Sequence, residues 1–172
     1  MKRISCRENL SVIIDHHPSF KSLNQKILKE SQYFEYAEGG RNIDGGLSNI
    51  RAPKTIAPKL ISPSLELVYQ WILSLLFKKN HKFYIDQSWM ACYKVGGYGI
   101  SHNHIPSAYS FVYFIRCPKG SSPLVFTASN KKIKAEEGKL LIFPGFLEHH
   151  IPKNKCDGRI ALAGNIYFTK DL

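Results

Sequence analysis

The chain has 172 residues, of which 44% are hydrophobic and 22% charged, a length and composition that predict one domain and exclude a disordered, collagenous or low-complexity chain. No run of 18 or more apolar residues occurs, so a membrane partner is not expected. Its 24 basic and 13 acidic residues give a net charge of +11, which favours acidic partners. Because the lysines are scattered in twos and threes, as on a solvated surface, nucleic acid is the less favoured partner.

The N-terminal segment is basic but has no apolar stretch behind it, so we expect no secretory signal and a cytoplasmic location. The four cysteines lie far apart and form no CxxC pair. In such a chain they are expected to be free, mostly buried thiols. They are Cys6, Cys92, Cys117 and Cys156.

Two helices are predicted in the first half of the chain. Apolar residues at helical spacing predict a short amphipathic helix over 19–33, and the glycine-rich stretch 38–46 is predicted to be a loop. A longer apolar pattern predicts a helix over 64–78, with Ser62 as its N-cap, Pro63 in its first turn and Lys78 at its C-terminal end.

After residue 80 the pattern changes to short runs of β-branched and aromatic residues between turn residues. This spacing predicts an antiparallel sandwich or barrel. We therefore expect a mainly β protein with N-terminal helices, a single domain over 1–172 in which 1–80 supports a β core over 81–170. The predicted strands are 82–85, 89–95, 110–116, 124–127, 139–143, 147–151 and 159–168.

Histidines carry the strongest functional pattern. His102 and His104 follow the glycines at 96–99, which are predicted to form a loop, and in an extended segment residues i and i+2 point to the same face. A third imidazole, from His149 or His150 on a neighbouring strand, would complete one face of a metal ion and leave the remaining positions open. No Asp or Glu lies between Gln87 and Ala135, so no carboxylate close to this pair in sequence can complete the site.

Arg159 is the second candidate functional residue after the histidines. It lies ten residues after His149 and opens a strand whose alternate positions are Ala161, Ala163 and Asn165. An arginine on a face of small residues leaves room for a ligand, and its planar fork suits a carboxylate. The alternative is an edge arginine paired with Asp157.

In this order, HxH, distal His and then Arg, the chain resembles the Fe(II)/2-oxoglutarate-dependent oxygenases. The likeness covers about residues 80–170 and is closest to the small oxygenases of marine T4-like phages, which are similar to prolyl hydroxylases. Segments 89–99, 106–114 and 138–145 also resemble the corresponding segments of these oxygenases. The resemblance implies a double-stranded β-helix, or jelly roll. It also implies a dioxygenase that hydroxylates a C–H bond of a peptide or protein side chain, with proline as the first candidate among substrate residues. Residues 34–62 are the best candidate for a substrate loop.

The resemblance also implies a site. Fe(II) would bind His102, His104 and His149, with 2-oxoglutarate and O2 as cosubstrates and ascorbate as a stimulant. Arg159 would hold the distal carboxylate, with Asn165 nearby, and no catalytic residue is expected beyond the metal site.

Two positions depart from the family pattern. His104 stands where the family usually has a carboxylate. Phe114 stands where many prolyl-hydroxylase-like members have a tyrosine that binds 2-oxoglutarate, so Tyr93 and Ser110 are the alternatives for that hydrogen bond.

Cupins share this kind of barrel and provide the alternative interpretation. Their G-x5-HxH and G-x5-P motifs match Gly96 to His102 and Gly138 to Pro144. However, Ala108 and Tyr109 occupy the positions of the cupin glutamate, and Arg159 has no role in a cupin. This alternative predicts either a three-histidine metalloenzyme that does not use 2-oxoglutarate or a non-catalytic binding protein. A zinc hydrolase or lyase, with three histidines and a water on the metal, is a further rival, but no motif places a general base for it.

Overall fold

The computed structural model describes residues 10–34, 37–38, 43–48, 59–76 and 82–169, with 37–38 and 43–48 described by their backbone alone. Within these ranges lie two helices, α1 (Phe20–Ser31) and α2 (Pro63–Leu76). The ten strands are β1 (Ile13–His16), β2 (Ala37–Glu38), β3 (Ile43–Ser48), β4 (Phe83–His102), β5 (Tyr109–Arg116), β6 (Leu124–Phe126), β7 (Lys131–Ile133), β8 (Lys139–Pro144), β9 (His149–Ile151) and β10 (Arg159–Phe168).

Both predicted helices are confirmed. α2 begins where Ser62 caps it: the Ser62 Oγ accepts a hydrogen bond of 3.3 Å from the Leu65 amide. α1 is joined to the sheet by buried Asn24, which donates to the Ile115 carbonyl over 2.8 Å and accepts from the Tyr113 hydroxyl over 2.7 Å. Neither described helix is long and apolar enough to cross a membrane. Lys78 lies outside the described residues.

The sheet confirms the prediction of a mainly β protein. Eight strands form one curled path in the order β1-β8-β5-β10-β4-β9-β6-β7, every described pairing in it is antiparallel, and β3 joins β4 from the side. The 20-residue β4 links the two halves of this path, because it pairs with β10 through its first half and with β9 at its last residues. The end of β4 is therefore the place where distant parts of the chain meet.

Alternation along the strands separates two cores. On β10, Ile160, Leu162 and Ile166 belong to the core that packs against α1 and α2. Ala161 and Ala163 belong to the second core, inside the curled sheet, together with Tyr93 and Phe114. The face of β10 that carries the odd-numbered residues from Arg159 onward thus lines the interior.

Three sequence predictions need correction. The glycines at 96–99 were expected to form a loop, but they lie within β4, because backbone pairing with β3 and β9 continues the strand to His102. Pairing with β10 merges the predicted strands 82–85 and 89–95 into one. The predicted loop 38–46 contains the last residue of β2 and the first four residues of β3.

Cys92, Cys117 and Cys156 are free thiols as predicted, but they are half-buried and not buried. Cys6 lies outside the described residues. The division of the chain at residue 80 and its single-domain character stay predictions.

Gly164 should be the least replaceable residue of β10. A Cβ there would lie 2.5 Å from the Gln87 carbonyl oxygen and 2.6 Å from the Phe111 ring, and neither the strand nor the buried ring can move aside freely. We expect Gly164→Ala to lower the free energy of unfolding by about 1–3 kcal/mol, as overpacking of a core does. Urea denaturation measures this, with Gly96→Ala as a comparison in which the new Cβ meets open space and the cost comes from the positive φ of 82°. An unchanged midpoint for Gly164→Ala would contradict the expected clash.

Candidate metal and anion site

Three histidine side chains converge at the end of β4. The candidate ligand atoms of His102, His104 and His149 all lie within 4.8 Å of one another. Their ring centroids are 4.9 Å apart for His102 and His104, 4.6 Å for His102 and His149, and 5.2 Å for His104 and His149. This spacing allows one metal ion to be bound by all three imidazoles.

Backbone pairing and a tight contact bring this triad together. His102 and His149 are direct partners in the β4–β9 register. His104 lies just beyond β4, where its amide donates a 2.7 Å hydrogen bond to the Gly145 carbonyl. Gly145 has no side chain to keep the two segments apart, and a Cβ there would overlap Ser107.

Hydrogen bonds to the backbone orient two of the rings. The Nδ1 of His102 lies 2.7 Å from the Ile100 carbonyl, and the Nδ1 of His149 lies 3.0 Å from the Leu147 carbonyl. A carbonyl accepts only, so both Nδ1 atoms carry the proton and both Nε2 atoms have a free lone pair. This is the arrangement in which metal-binding histidines are found, with one nitrogen on the metal and the other held by an acceptor.

Burial keeps the triad uncharged. It lowers the pKa of His104 to about 3, with repulsion from His149 and His102 adding to the effect. Burial also lowers the pKa of His149 to about 4 and lowers the pKa of His102, in both cases against the hydrogen bond to a backbone carbonyl, which raises it. Because a metal binds the neutral imidazole, all three side chains are in the binding form at neutral pH.

Two aromatic side chains enclose the triad. The Trp89 ring lies 5.6 Å from the His104 ring, and the Phe143 ring lies 4.9 Å from the His149 ring. Side chains from β4 and β8 thus form apolar walls on two sides of the cluster.

The two other candidate metal ligands in this part of the sequence, His150 and Glu148, do not join the triad. His150 is half-buried, and its Nδ1 lies 3.3 Å from the Thr127 hydroxyl, outside the triad. Glu148 is exposed. Among the described residues no carboxylate joins the three histidines.

Arg159 lies inside the curled sheet. It is only 1% exposed, and its Nε donates a 3.1 Å hydrogen bond to the Ser122 carbonyl. Its Nη2 is buried and has no hydrogen-bond partner among the described residues. Asp157, the partner that sequence offered as an alternative, instead accepts a hydrogen bond from the Val95 amide over 2.9 Å.

Two rings hold the Arg159 guanidinium. Its carbon lies 4.7 Å from the centroid of Tyr93, the direct partner of Arg159 on β4, and 5.3 Å from that of Phe114. Burial lowers the pKa of Arg159 and raises the pKa of Tyr93. A buried guanidinium with an unpaired nitrogen, between aromatic rings, is a site for an anion.

Ser110 and Asn165 lie together at a different place. The Ser110 hydroxyl donates to the Asn165 Oδ1 over 3.1 Å, and the Asn165 Nδ2 donates to the Gln87 Oε1 over 3.0 Å. Six residues separate Asn165 from Arg159 along β10, about 20 Å at the rise of a strand. The structure therefore brings Tyr93 to Arg159, whereas it places Ser110 and Asn165 towards the other end of the strand.

Sequence reasoning did not assign a role to Gln87, Ser107 or Tyr167. Gln87 and Tyr167 share the interior face with Arg159, so extending the alternation along β4 and β10 to their far ends would have found them. Ser107 lies in the turn after His104 and carried no periodic signal.

No family model and no curated protein sequence matches the chain. Its structure, in contrast, is similar to many solved proteins. A Pseudomonas putida prolyl-4-hydroxylase is 15% identical with a TM-score of 0.67, and the match covers 94% of each chain. A Trichoplax adhaerens prolyl hydroxylase in complex with a hypoxia inducible factor peptide fragment is 15% identical with a TM-score of 0.66, over 91% of this chain and 82% of that one.

A third similar structure has a different ligand. HygX from Streptomyces hygroscopicus, with nickel, 2-oxoglutarate and hygromycin B bound, is 8% identical with a TM-score of 0.67, over 94% of this chain and 84% of that one. The chain thus has the jelly-roll fold of the 2-oxoglutarate Fe(II) oxygenases, prolyl hydroxylases among them. At these identities the likeness establishes the fold alone, and the likeness to phage enzymes stays a prediction.

Proposed function

We propose that the chain is an Fe(II)- and 2-oxoglutarate-dependent dioxygenase that hydroxylates a C–H bond. The observation that carries the proposal is the buried Nη2 of Arg159, which has no partner among the described residues. A buried, unpaired guanidinium nitrogen costs free energy, and a carboxylate bound there would satisfy it with a charge-assisted hydrogen bond. The distal carboxylate of 2-oxoglutarate is that group.

His102, His104 and His149 would hold the metal. Their neutral imidazoles and close spacing fit a divalent transition metal and leave part of its coordination sphere for other ligands. Three imidazoles add no negative charge, so the bound ion keeps its full positive charge toward an anionic cosubstrate.

When bound, Fe(II) and 2-oxoglutarate supply the reaction with O2, in which 2-oxoglutarate is decarboxylated to succinate and a C–H bond is hydroxylated. The residues of this chain bind, orient and exclude water. Arg159 fixes the far end of the cosubstrate, and Tyr93 and Phe114 shield that ion pair from solvent. Tyr93 is the better placed of the two alternatives for a further hydrogen bond to the carboxylate, because it is the β4 partner of Arg159.

A peptide or protein side chain is the proposed substrate, with proline first. The similar Trichoplax protein was solved with a peptide fragment. HygX, with hygromycin B bound, has the same fold, so the fold does not decide the substrate.

Succinate formation tests this proposal. Purified protein with Fe(II), ascorbate and O2 should convert 2-oxoglutarate to succinate, slowly without a substrate and faster with one, and a screen of proline-containing peptides by mass should find a product heavier by one oxygen. Zn(II) in place of Fe(II) is the control and should give no succinate.

Two other outcomes point to the cupin-type alternative. If the protein binds metal but neither binds nor consumes 2-oxoglutarate, a barrel with another function replaces the proposal. If the Zn(II) form hydrolyses substrates while the Fe(II) form is inert, a three-histidine zinc hydrolase replaces it.

A further inference from the structure

The interior face of β4 and β10 continues past the triad, away from Arg159. In the register of these strands, Ala163 faces Trp89, Asn165 faces Gln87 and Tyr167 faces Tyr84. The Trp89 ring lies against His104, so the last two pairs lie on the other side of the triad from Arg159. We call Tyr84, Gln87, Asn165 and Tyr167 the outer strip.

Hydrogen bonds determine how the side-chain amides of Asn165 and Gln87 in the outer strip are oriented. The Asn165 Oδ1 accepts from Ser110, and its Nδ2 donates to the Gln87 Oε1 over 3.0 Å. The Gln87 oxygen therefore points to Asn165, and its NH2 group is turned away as a donor. Gln87 is only half-buried, so this donor can reach a carbonyl oxygen of a bound molecule.

The tyrosines add an aromatic surface. Their ring centroids are 5.9 Å apart and their planes differ by 33°, so Tyr84 and Tyr167 form one nearly continuous surface. Tyr84 is 42% exposed, a large fraction for a ring that faces the interior side of the sheet. Amide donors beside tyrosine rings are the combination that binds extended peptide, with carbonyls on the amides and apolar side chains on the rings.

A negative charge beside the outer strip favours a peptide over a nucleic acid as its ligand. A bulge in β4 places Asp86 between the strip residues Tyr84 and Gln87, and its carboxylate is close enough to add to the raised pKa of Tyr167, whose first cause is burial. A carboxylate beside the rings repels phosphate, although the whole chain carries a net charge of +11. Lys82 precedes β4, at the outer end of the strip.

We propose that the outer strip binds the peptide residues that flank the reacting residue, and that it prefers uncharged segments with apolar or ring side chains over acidic ones. The proposal rests on the proposed function for the reaction at the triad. Binding to the strip itself needs neither metal nor 2-oxoglutarate.

Fluorescence anisotropy on the metal-free protein tests it. The probes are a fluorescein-labelled alternating Ala-Pro peptide, a Glu-Pro peptide of the same length, and a labelled oligothymidylate. We expect the Ala-Pro peptide to bind, and Tyr84→Ala and Tyr167→Ala each to weaken its affinity about tenfold, as loss of an aromatic anchor does. Tyr33→Ala is the matched control, because Tyr33 is 77% exposed just beyond α1 and should leave the affinity unchanged.

Asp86→Asn provides a second, independent readout. The Glu-Pro peptide should bind more weakly than the Ala-Pro peptide to the parent chain, and Asp86→Asn should reduce that difference. Equal affinities for the parent, Tyr84→Ala and Tyr167→Ala would overturn the proposal. So would an oligothymidylate that binds more tightly than the peptide and loses affinity with the same tyrosines, since the strip would then be a nucleic-acid site. Strip binding without any succinate formation would refute the oxygenase alone, and the reverse result would refute the strip alone.

Discussion

Arg159→Met is expected to remove 2-oxoglutarate binding while leaving the fold intact. Methionine fills much of the same volume between Tyr93 and Phe114 without a charge. Losing one partner of a buried charge pair costs about 3–5 kcal/mol, which corresponds to a loss of affinity of about a hundredfold to several thousandfold. Without an anion, the substitution removes the buried, unpaired Nη2 but also the hydrogen bond from Nε to the Ser122 carbonyl, so the two effects should offset each other and the melting temperature should change little.

Calorimetric titration of 2-oxoglutarate into Mn(II)-loaded protein measures the first effect, and thermal melting of the metal-free protein measures the second. Arg116→Met is the matched control, because Arg116 is exposed and its Nε donates a 2.7 Å hydrogen bond to the Gly158 carbonyl. That variant should bind 2-oxoglutarate like the parent. If Arg159→Met also binds it like the parent, the carboxylate does not bind at Arg159. If Arg159→Met instead binds nothing and melts far below the parent, the arginine is a structural residue.

Local patterns in the sequence predict much of this fold. The β-rich runs after residue 80 lie in strands, and Ser62 caps α2 as expected. Non-local pairing accounts for what the patterns miss. β1 is only four residues long and exists because it pairs with β8, more than a hundred residues later, in the register of Ile13 with Ile142.

For the candidate site, too, local patterns predict one part and non-local strand pairing decides the rest. Spacing places His102 and His104 on one face, but only the pairing of His102 with His149 shows which of two adjacent histidines meets them. The choice between Tyr93 and Ser110 also needs a register, because both alternate correctly on their own strands. Their pairing along β10, Tyr93 with Arg159 and Ser110 with Asn165, separates them.

His104 stands where the family that the chain resembles usually has a carboxylate. His104→Ala should lose metal affinity by more than the roughly 10–100-fold that loss of an outer-sphere partner costs, because two imidazoles remain and no carboxylate of the described residues joins them. His104→Asp should retain metal binding, since a carboxylate is also a ligand for Fe(II). Equilibrium titration with Co(II), followed by its visible absorption, measures both affinities.

The aspartate variant also tests the charge argument. A carboxylate at position 104 neutralises part of the metal charge, so 2-oxoglutarate should bind more weakly to His104→Asp than to the parent even when both are fully loaded with metal. His150→Ala is the control histidine: its ring contacts Thr127 outside the triad, and its loss should change neither affinity. Should His104→Ala bind Co(II) as tightly as the parent, His104 is not a ligand, and its packing between Trp89 and His149 would then be its whole role.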